Sequence, residues 1–220
     1  MKSTLTTKQT LSIRHAQLLN EIWSAITHGF GFILSIVGTI LLLIKAMGLG
    51  KPLDLVAYAI YGASLLVLFF SSTMFHSLYF TKASHVFQIL DHDSINFLIA
   101  GTYTPYCLLA IRGRLGIGLC IVIWLLAIGG IIFQFFAVGK FKKVETLIYV
   151  LMGWLCMVGA KPLYESLGLI GLSLLVAGGV AFSLGGLIYN IPHVKYVHVW
   201  WHVLVLVGAT LMYFSILLYI

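Results

Sequence analysis

Stretches of twenty or more residues without a single charge recur along this chain, and they limit how its backbone can be solvated. Residues 115–138 hold no Asp, Glu, Lys or Arg, and neither do residues 22–44. A run that long and apolar matches the roughly 20 residues a helix needs to cross a bilayer. In hydrocarbon, every backbone N–H and C=O must be satisfied inside a helix or a closed barrel. The runs here are continuous and do not alternate polar with apolar, which selects helices over barrel strands. Composition agrees. Apolar residues make up 61% and charged residues 9% of the chain, against roughly 25% charged in a soluble domain. Six acidic and thirteen basic residues cannot coat 220 residues in water.

Counting such runs predicts an all-α membrane protein, a seven-transmembrane helix bundle. Its spans fall at about 21–44, 53–79, 89–111, 115–138, 144–160, 167–189 and 196–220. Residues 1–20 then form a cytoplasmic N-terminal tail and residues 21–220 one transmembrane domain. The first twenty residues are polar and carry Lys2, Lys8 and Arg14 without an apolar core, so the first span is expected to direct insertion. With the N-terminus inside, Lys2, Lys8, Arg14, Lys82, Lys140, Lys142, Lys143 and Lys195 are cytoplasmic. Lys45, Lys51, Arg112, Arg114 and Lys161 are outside. Eight bases against five favour a cytoplasmic N-terminus, and an odd span count puts Ile220 outside. The expected location is the cell inner (plasma) membrane. The net charge of +7 sits in these short connections, so it records orientation, and no nucleic-acid partner is expected.

Cys107, Cys120 and Cys156 lie inside apolar runs without a CxxC and read as packing residues. Gly171, Ser173, Gly178, Gly179, Ser183, Gly185 and Gly186 predict close helix packing around the sixth span. Pro105 predicts a kink near Tyr103.

Ionisable groups within spans are costly and mark function by default. The candidates are Glu21, His28, His76, Asp91, His92, Asp93, His198 and His202; His15, His85 and His193 lie in the tail or loops and receive no role. His198 and His202 are four apart, on one helix face, a ready half of a zinc site. Trp200 and Trp201 beside them suit an interfacial aromatic belt. In the expected topology, His76 ends span two, Asp91 begins span three, His198 and His202 begin span seven, and Glu21 and His28 open span one. All then share one depth on the cytoplasmic side. Three neutral histidines on Zn²⁺ leave a fourth position for water. A nearby carboxylate would offset the metal's charge and orient that water. Asp91 is the candidate, since Asp93 is about 200° away round the helix. Ser72, one turn before His76, is placed to bond the water or a ligand. Glu21, His28 and Tyr103 are candidates for a second polar layer or a proton path.

The ordered set Glu21-x-x-Ser24-x-x-Thr27-His28-Gly29, Ser72-Thr-Met-Phe-His76, Leu90-Asp91-His92, Ala100-Gly-Thr-Tyr-Thr-Pro105, Met152-Gly-Trp154 and His198-x-x-x-His202 resembles the bacterial hemolysin III family. That family is related to the progestin and adipoQ receptors, which include the adiponectin receptors. The resemblance implies seven helices, a cytoplasmic N-terminus and a zinc ion held by His76, His198 and His202. It also implies that Asp91 contacts the metal-bound water and that Ser72 lies beside it. The wider superfamily resembles ceramidases. One departure stands out: Met212 occupies a stretch where members often carry a further histidine.

Three functions follow as expectations. A zinc-dependent lipid amide or ester hydrolase in membrane homeostasis uses all the candidate groups, with Asp91 and Ser72 catalytic. A receptor or sensor would use zinc structurally. A cytolysin is suggested by the family name, but no amphipathic water-soluble segment is present to insert on demand. A membrane lipid is the expected substrate or ligand, and a homo-oligomer is compatible with the sequence. Haem ligation is not expected, because His198 and His202 share one face.

Overall fold

The computed structural model describes residues 7–137, 141–191 and 196–220. Val138, Lys2, Lys140, His193 and Lys195, which entered the expectations above, lie outside the described residues. Every regular element among those described is helical: α1 (Thr7–Leu49), α2 (Pro52–Ser77), α3 (Ser84–Pro105), α4 (Gly113–Ala137), α5 (Lys142–Trp154), α6 (Ala160–Tyr189) and α7 (Val197–Tyr219). Pro52 starts α2 where its missing N–H costs nothing, with Asp54 in the first turn. α1 begins at Thr7, so residues 7–20 are the first turns of the same helix that forms the first apolar span.

The expected count of seven spans is corrected. Six helices among the described residues are long and apolar enough to cross a membrane: Arg14–Leu49, Pro52–Ser77, Ser84–Ile111, Gly113–Gln134, Lys143–Tyr189 and Val197–Tyr219. The expected spans at 144–160 and 167–189 are not separate helices joined by a loop. They form one 47-residue helical stretch. α5 has only 13 residues, about 20 Å of rise. It passes through a 3₁₀ turn, Leu155–Gly159, directly into α6. Beyond that turn the helical angles are interrupted at Gly168, with φ 64° and ψ −174°, a conformation a glycine takes without a Cβ clash. There the chain reverses, and its two arms pack together. The Trp154 indole N–H donates to Ser183 Oγ at 3.0 Å, and Thr146 lies against Gly186. Because this stretch folds back, the count of six long apolar helices is not a count of crossings, and it sets no side for the N-terminus or for Ile220.

Pro105 acts slightly later than expected. Lacking an N–H, it ends the regular α3 ladder, and the chain widens into a π-helical segment, Tyr106–Ile111. Tyr103 instead ties this region to the turn after α5. Its hydroxyl lies 2.8 Å from the carbonyls of Met152 and Gly153 and accepts the Cys156 N–H at 2.7 Å.

α1 packs on α2, α2 on α3 and α6 on α7. Glycines set the close approaches. A Cβ on Gly101 would lie 2.5 Å from Ser64 Cβ, and one on Gly178 would lie 3.0 Å from the Gly208 carbonyl oxygen. Leu42, Tyr58, Tyr61, Phe69 and Ile216 are buried where α1, α2 and α7 meet. The outer faces carry Leu125, Leu151 and Leu169, each more than half exposed. Apolar surface on that scale suits contact with lipid, not water.

Candidate metal centre

Three histidines from the ends of two helices meet inside the bundle. His76 closes α2, while His198 and His202 lie one turn apart at the start of α7. Their four-residue spacing stacks both imidazoles on one face. His198 Nε2 lies 3.1 Å from His76 Nε2 and 3.0 Å from His202 Nε2. His76 and His202 are buried and His198 partly so; together they can hold a metal ion.

The remaining ring nitrogens decide how the three Nε2 atoms face one another. His76 Nδ1 lies 2.6 Å from the Glu21 carboxylate, an acceptor, so Nδ1 carries the hydrogen. His202 Nδ1 lies 3.3 Å from the Ser24 carbonyl oxygen and donates to it. Both Nε2 atoms therefore present lone pairs to the centre. A neutral His198 has at most one Nε2 hydrogen and cannot serve both neighbours. A cation satisfies all three lone pairs at once. Two nitrogens each about 2.0–2.1 Å from a tetrahedral zinc lie about 3.3 Å apart, close to the spacing found here. Glu21 and the Ser24 carbonyl supply the outer hydrogen bonds that fix a metal-ligating tautomer. Replacing Glu21 with alanine is accordingly expected to weaken metal affinity about tenfold to a hundredfold, measured by competition with a chromophoric chelator. An unchanged affinity would show that Glu21 does not orient His76.

The other expected residues divide. His28 is buried and stacks on His202, with ring centroids 3.7 Å apart and planes at 14°, but neither of its ring nitrogens has a hydrogen-bond partner. Asp91 lies among His76, His92 and Ser72. Ser72 is fully buried, and its Oγ lacks a partner in hydrogen-bonding geometry. Tyr103 is not brought to the centre; its hydroxyl is engaged at the α5 turn. Trp201 is not part of a belt, because it turns inward against Gly185 and lines the cavity beside the histidines, whereas Trp200 is exposed. Met212 packs on Gly178, and the hydroxyl of Tyr106 reaches its carbonyl at 3.4 Å, so no ionisable side chain stands at that position.

A family profile described as haemolysin-III related matches residues 16–213. The chain belongs to the haemolysin-III-related family. It is 48% identical over 200 residues to Hemolysin-3 of Bacillus cereus, covering 91% of each chain. It is 43% identical over 199 residues to the Hemolysin-3 homolog of Bacillus subtilis (strain 168), covering 90% of this chain and 93% of that one. The human Monocyte to macrophage differentiation factor is 30% identical over 200 residues, covering 88% of this chain and 82% of its own. The likeness is thus strong to bacterial haemolysin III proteins and weaker to the adiponectin-receptor-like ones. The protein is a haemolysin-III-like, multi-span helical membrane protein with a candidate three-histidine metal-binding cluster.

Sequence reasoning passed over a second polar group. His92, Gln134 and Glu145 converge from α3, α4 and α5. Gln134 Nε2 lies 2.9 Å from His92 Nδ1 and donates to Glu145 Oε2 at 3.3 Å. Glu145 falls inside an expected span, so the rule that flagged Asp91 applied to it equally. A cavity of about 60 Å³ is bordered by Asp91, His92, Glu145, His198 and His202 and joins the two groups.

Proposed function

We propose that His76, His198 and His202 hold a zinc ion and that this family member is a zinc-dependent hydrolase of lipid amides or esters. It would act in the cell's plasma membrane, on membrane lipid, in the maintenance of that membrane. The observation that carries the reading is His198 Nε2 lying 3.1 Å from His76 Nε2 and 3.0 Å from His202 Nε2, with the latter two fixed as lone-pair donors by Glu21 and the Ser24 carbonyl. When bound, zinc acts as a Lewis acid that polarises a carbonyl and lowers the pKa of water to roughly 7.

The chain supplies the rest. The Asp91 carboxylate, next to the cluster, accepts a proton from the attacking water at its carboxylate oxygen. It later returns that proton to the departing amine or alcohol. Ser72 Oγ, buried beside the Asp91 carboxylate, would hold the carbonyl oxygen or the water in line. The cavity beside Asp91 shares Ile95, Leu98 and Phe182 with a second cavity of about 90 Å³ whose walls are almost wholly apolar. An acyl chain fits such a place, and bulk water does not. The test is turnover of lipid amide and ester probes by the purified protein and its Asp91 variant.

One observation favours a second reading, a receptor-type protein with structural zinc. The cluster joins α2 to α7 and, through Glu21 and Ser24, both to α1. A metal there would clamp three helices whether or not chemistry follows. Zinc-dependent stability without turnover of any lipid probe would select it.

A further inference from the structure

The group formed by His92, Gln134 and Glu145 has more acceptors than donors. Glu145 is 5% exposed, and only its Oε2 is bonded; Oε1 is buried without a partner. Asn96, one turn after His92, is 1% exposed, and its Oδ1 is likewise unpartnered. Asp93 Oδ1 is a third buried oxygen without a partner. The nearby Tyr149 hydroxyl, also unpartnered, has one proton to give. Buried acceptors here lack donors in hydrogen-bonding geometry, and each left unmet costs about 1–3 kcal/mol.

Charge points the same way. Glu145 brings a buried carboxylate to this cavity, with Asp91 on the wall toward the histidine cluster. The nearest ion-pairing partner of Glu145 is His92, 3.9 Å away. No lysine or arginine pairs with these carboxylates among the described residues. Water would meet the acceptors but leave the charge. A buried carboxylate is tolerated when a cation pairs with it. The cavity bordered by Glu145 is large enough for a small head group, since one water needs about 10–15 Å³ of the same measure. It shares the walls Ile95, Leu98 and Phe182 with the apolar cavity. A phosphate or carboxylate head would meet like charge.

We propose that the His92–Gln134–Glu145 group is a binding subsite for the protonated amino group of an amphiphile, whose alkyl chain lies in the adjoining apolar cavity. The ammonium donates to Glu145 Oε1 and to its neighbours, and offsets their charge. The subsite adjoins the metal centre but requires neither zinc nor turnover. It extends the lipid reading above by naming the head group.

The test is binding to the intact protein in a neutral maltoside detergent, followed through Trp201, which lines both cavities. The probes are dodecylamine, dodecanol, dodecanoate and butylamine. Dodecylamine is expected to bind at least about tenfold more tightly than dodecanol, with dodecanoate weaker still and butylamine undetected. Glu145→Gln should remove the preference for amine over alcohol while dodecanol affinity and metal content stay as in the wild type, and Glu145→Asp should restore much of it. Equal binding of amine and alcohol by the wild type would overturn the proposal, without recourse to any variant. So would a preference that survives Glu145→Gln. Butylamine binding as tightly as dodecylamine would overturn the amphiphile and point to a free amine. None of these outcomes depends on hydrolysis, so this proposal and the hydrolase reading can fail separately.

Discussion

Replacing Asp91 with alanine is expected to lower hydrolysis of a lipid amide or ester by about 10²- to 10⁴-fold, the usual contribution of a positioned acid–base group, while leaving zinc bound. The separation between chemistry and binding follows from the geometry. The three Nε2 atoms belong to His76, His198 and His202, and the hydrogen bonds that orient His76 and His202 come from Glu21 and the Ser24 carbonyl. Asp91 takes no part in either set. It lies to one side, among His76, His92 and Ser72, on the wall of the cavity where a lipid carbonyl would enter. Its removal should therefore appear in kcat far more than in metal content. Turnover that survives the change, with zinc still present, would assign the proton transfers elsewhere.

Stripping the metal is expected to lower the melting temperature of the detergent-solubilised protein by several degrees or more. A ligand that binds only the folded state, at a thousand times its Kd, stabilises by about 4 kcal/mol. The cluster ties the end of α2 to the start of α7 and both to α1. Without a cation, two lone pairs face one His198 nitrogen, and a single hydrogen cannot satisfy both contacts. Buried polar groups left in that state cost free energy. Melting followed in excess chelator, and again after zinc is returned, checks this. A transition indifferent to both additions would mean that no metal holds these helices.

The helical, membrane-spanning character of the chain was legible because it rests on a one-dimensional property, the length of uncharged runs. The number of spans was not. Hydropathy cannot distinguish two helices joined by a loop from one helical stretch that turns back on a glycine, and Gly168 makes that turn without a polar loop. This error in count did not carry into the histidine cluster. The fold-back at Gly168 returns α6 alongside α5, so Tyr189 ends near His198, with ring centroids 5.5 Å apart, and α7 starts beside the end of α2. His76, His198 and His202 were readable as charges out of place, and the four-residue spacing of two of them survives in any helix. Tyr103 was not readable, because its role is set by carbonyls that the turn after α5 exposes, a feature with no sequence signature. Trp201 was misjudged for a similar reason: a tryptophan near a helix end is assigned to the interface unless the glycine that receives it, here Gly185, is known. Glu145 could have been found, since it is an acid inside an expected span.

The most direct measurement is metal content of the purified wild-type protein beside His76→Ala, by elemental analysis against protein concentration. The expected result is one zinc per chain in the wild type and essentially none in the variant, since two histidines at i and i+4 remain where three were needed. Wild-type protein that carries no stoichiometric metal after purification without chelator and dialysis against zinc, or a variant that retains it, would contradict the assignment of His76, His198 and His202 as a metal centre.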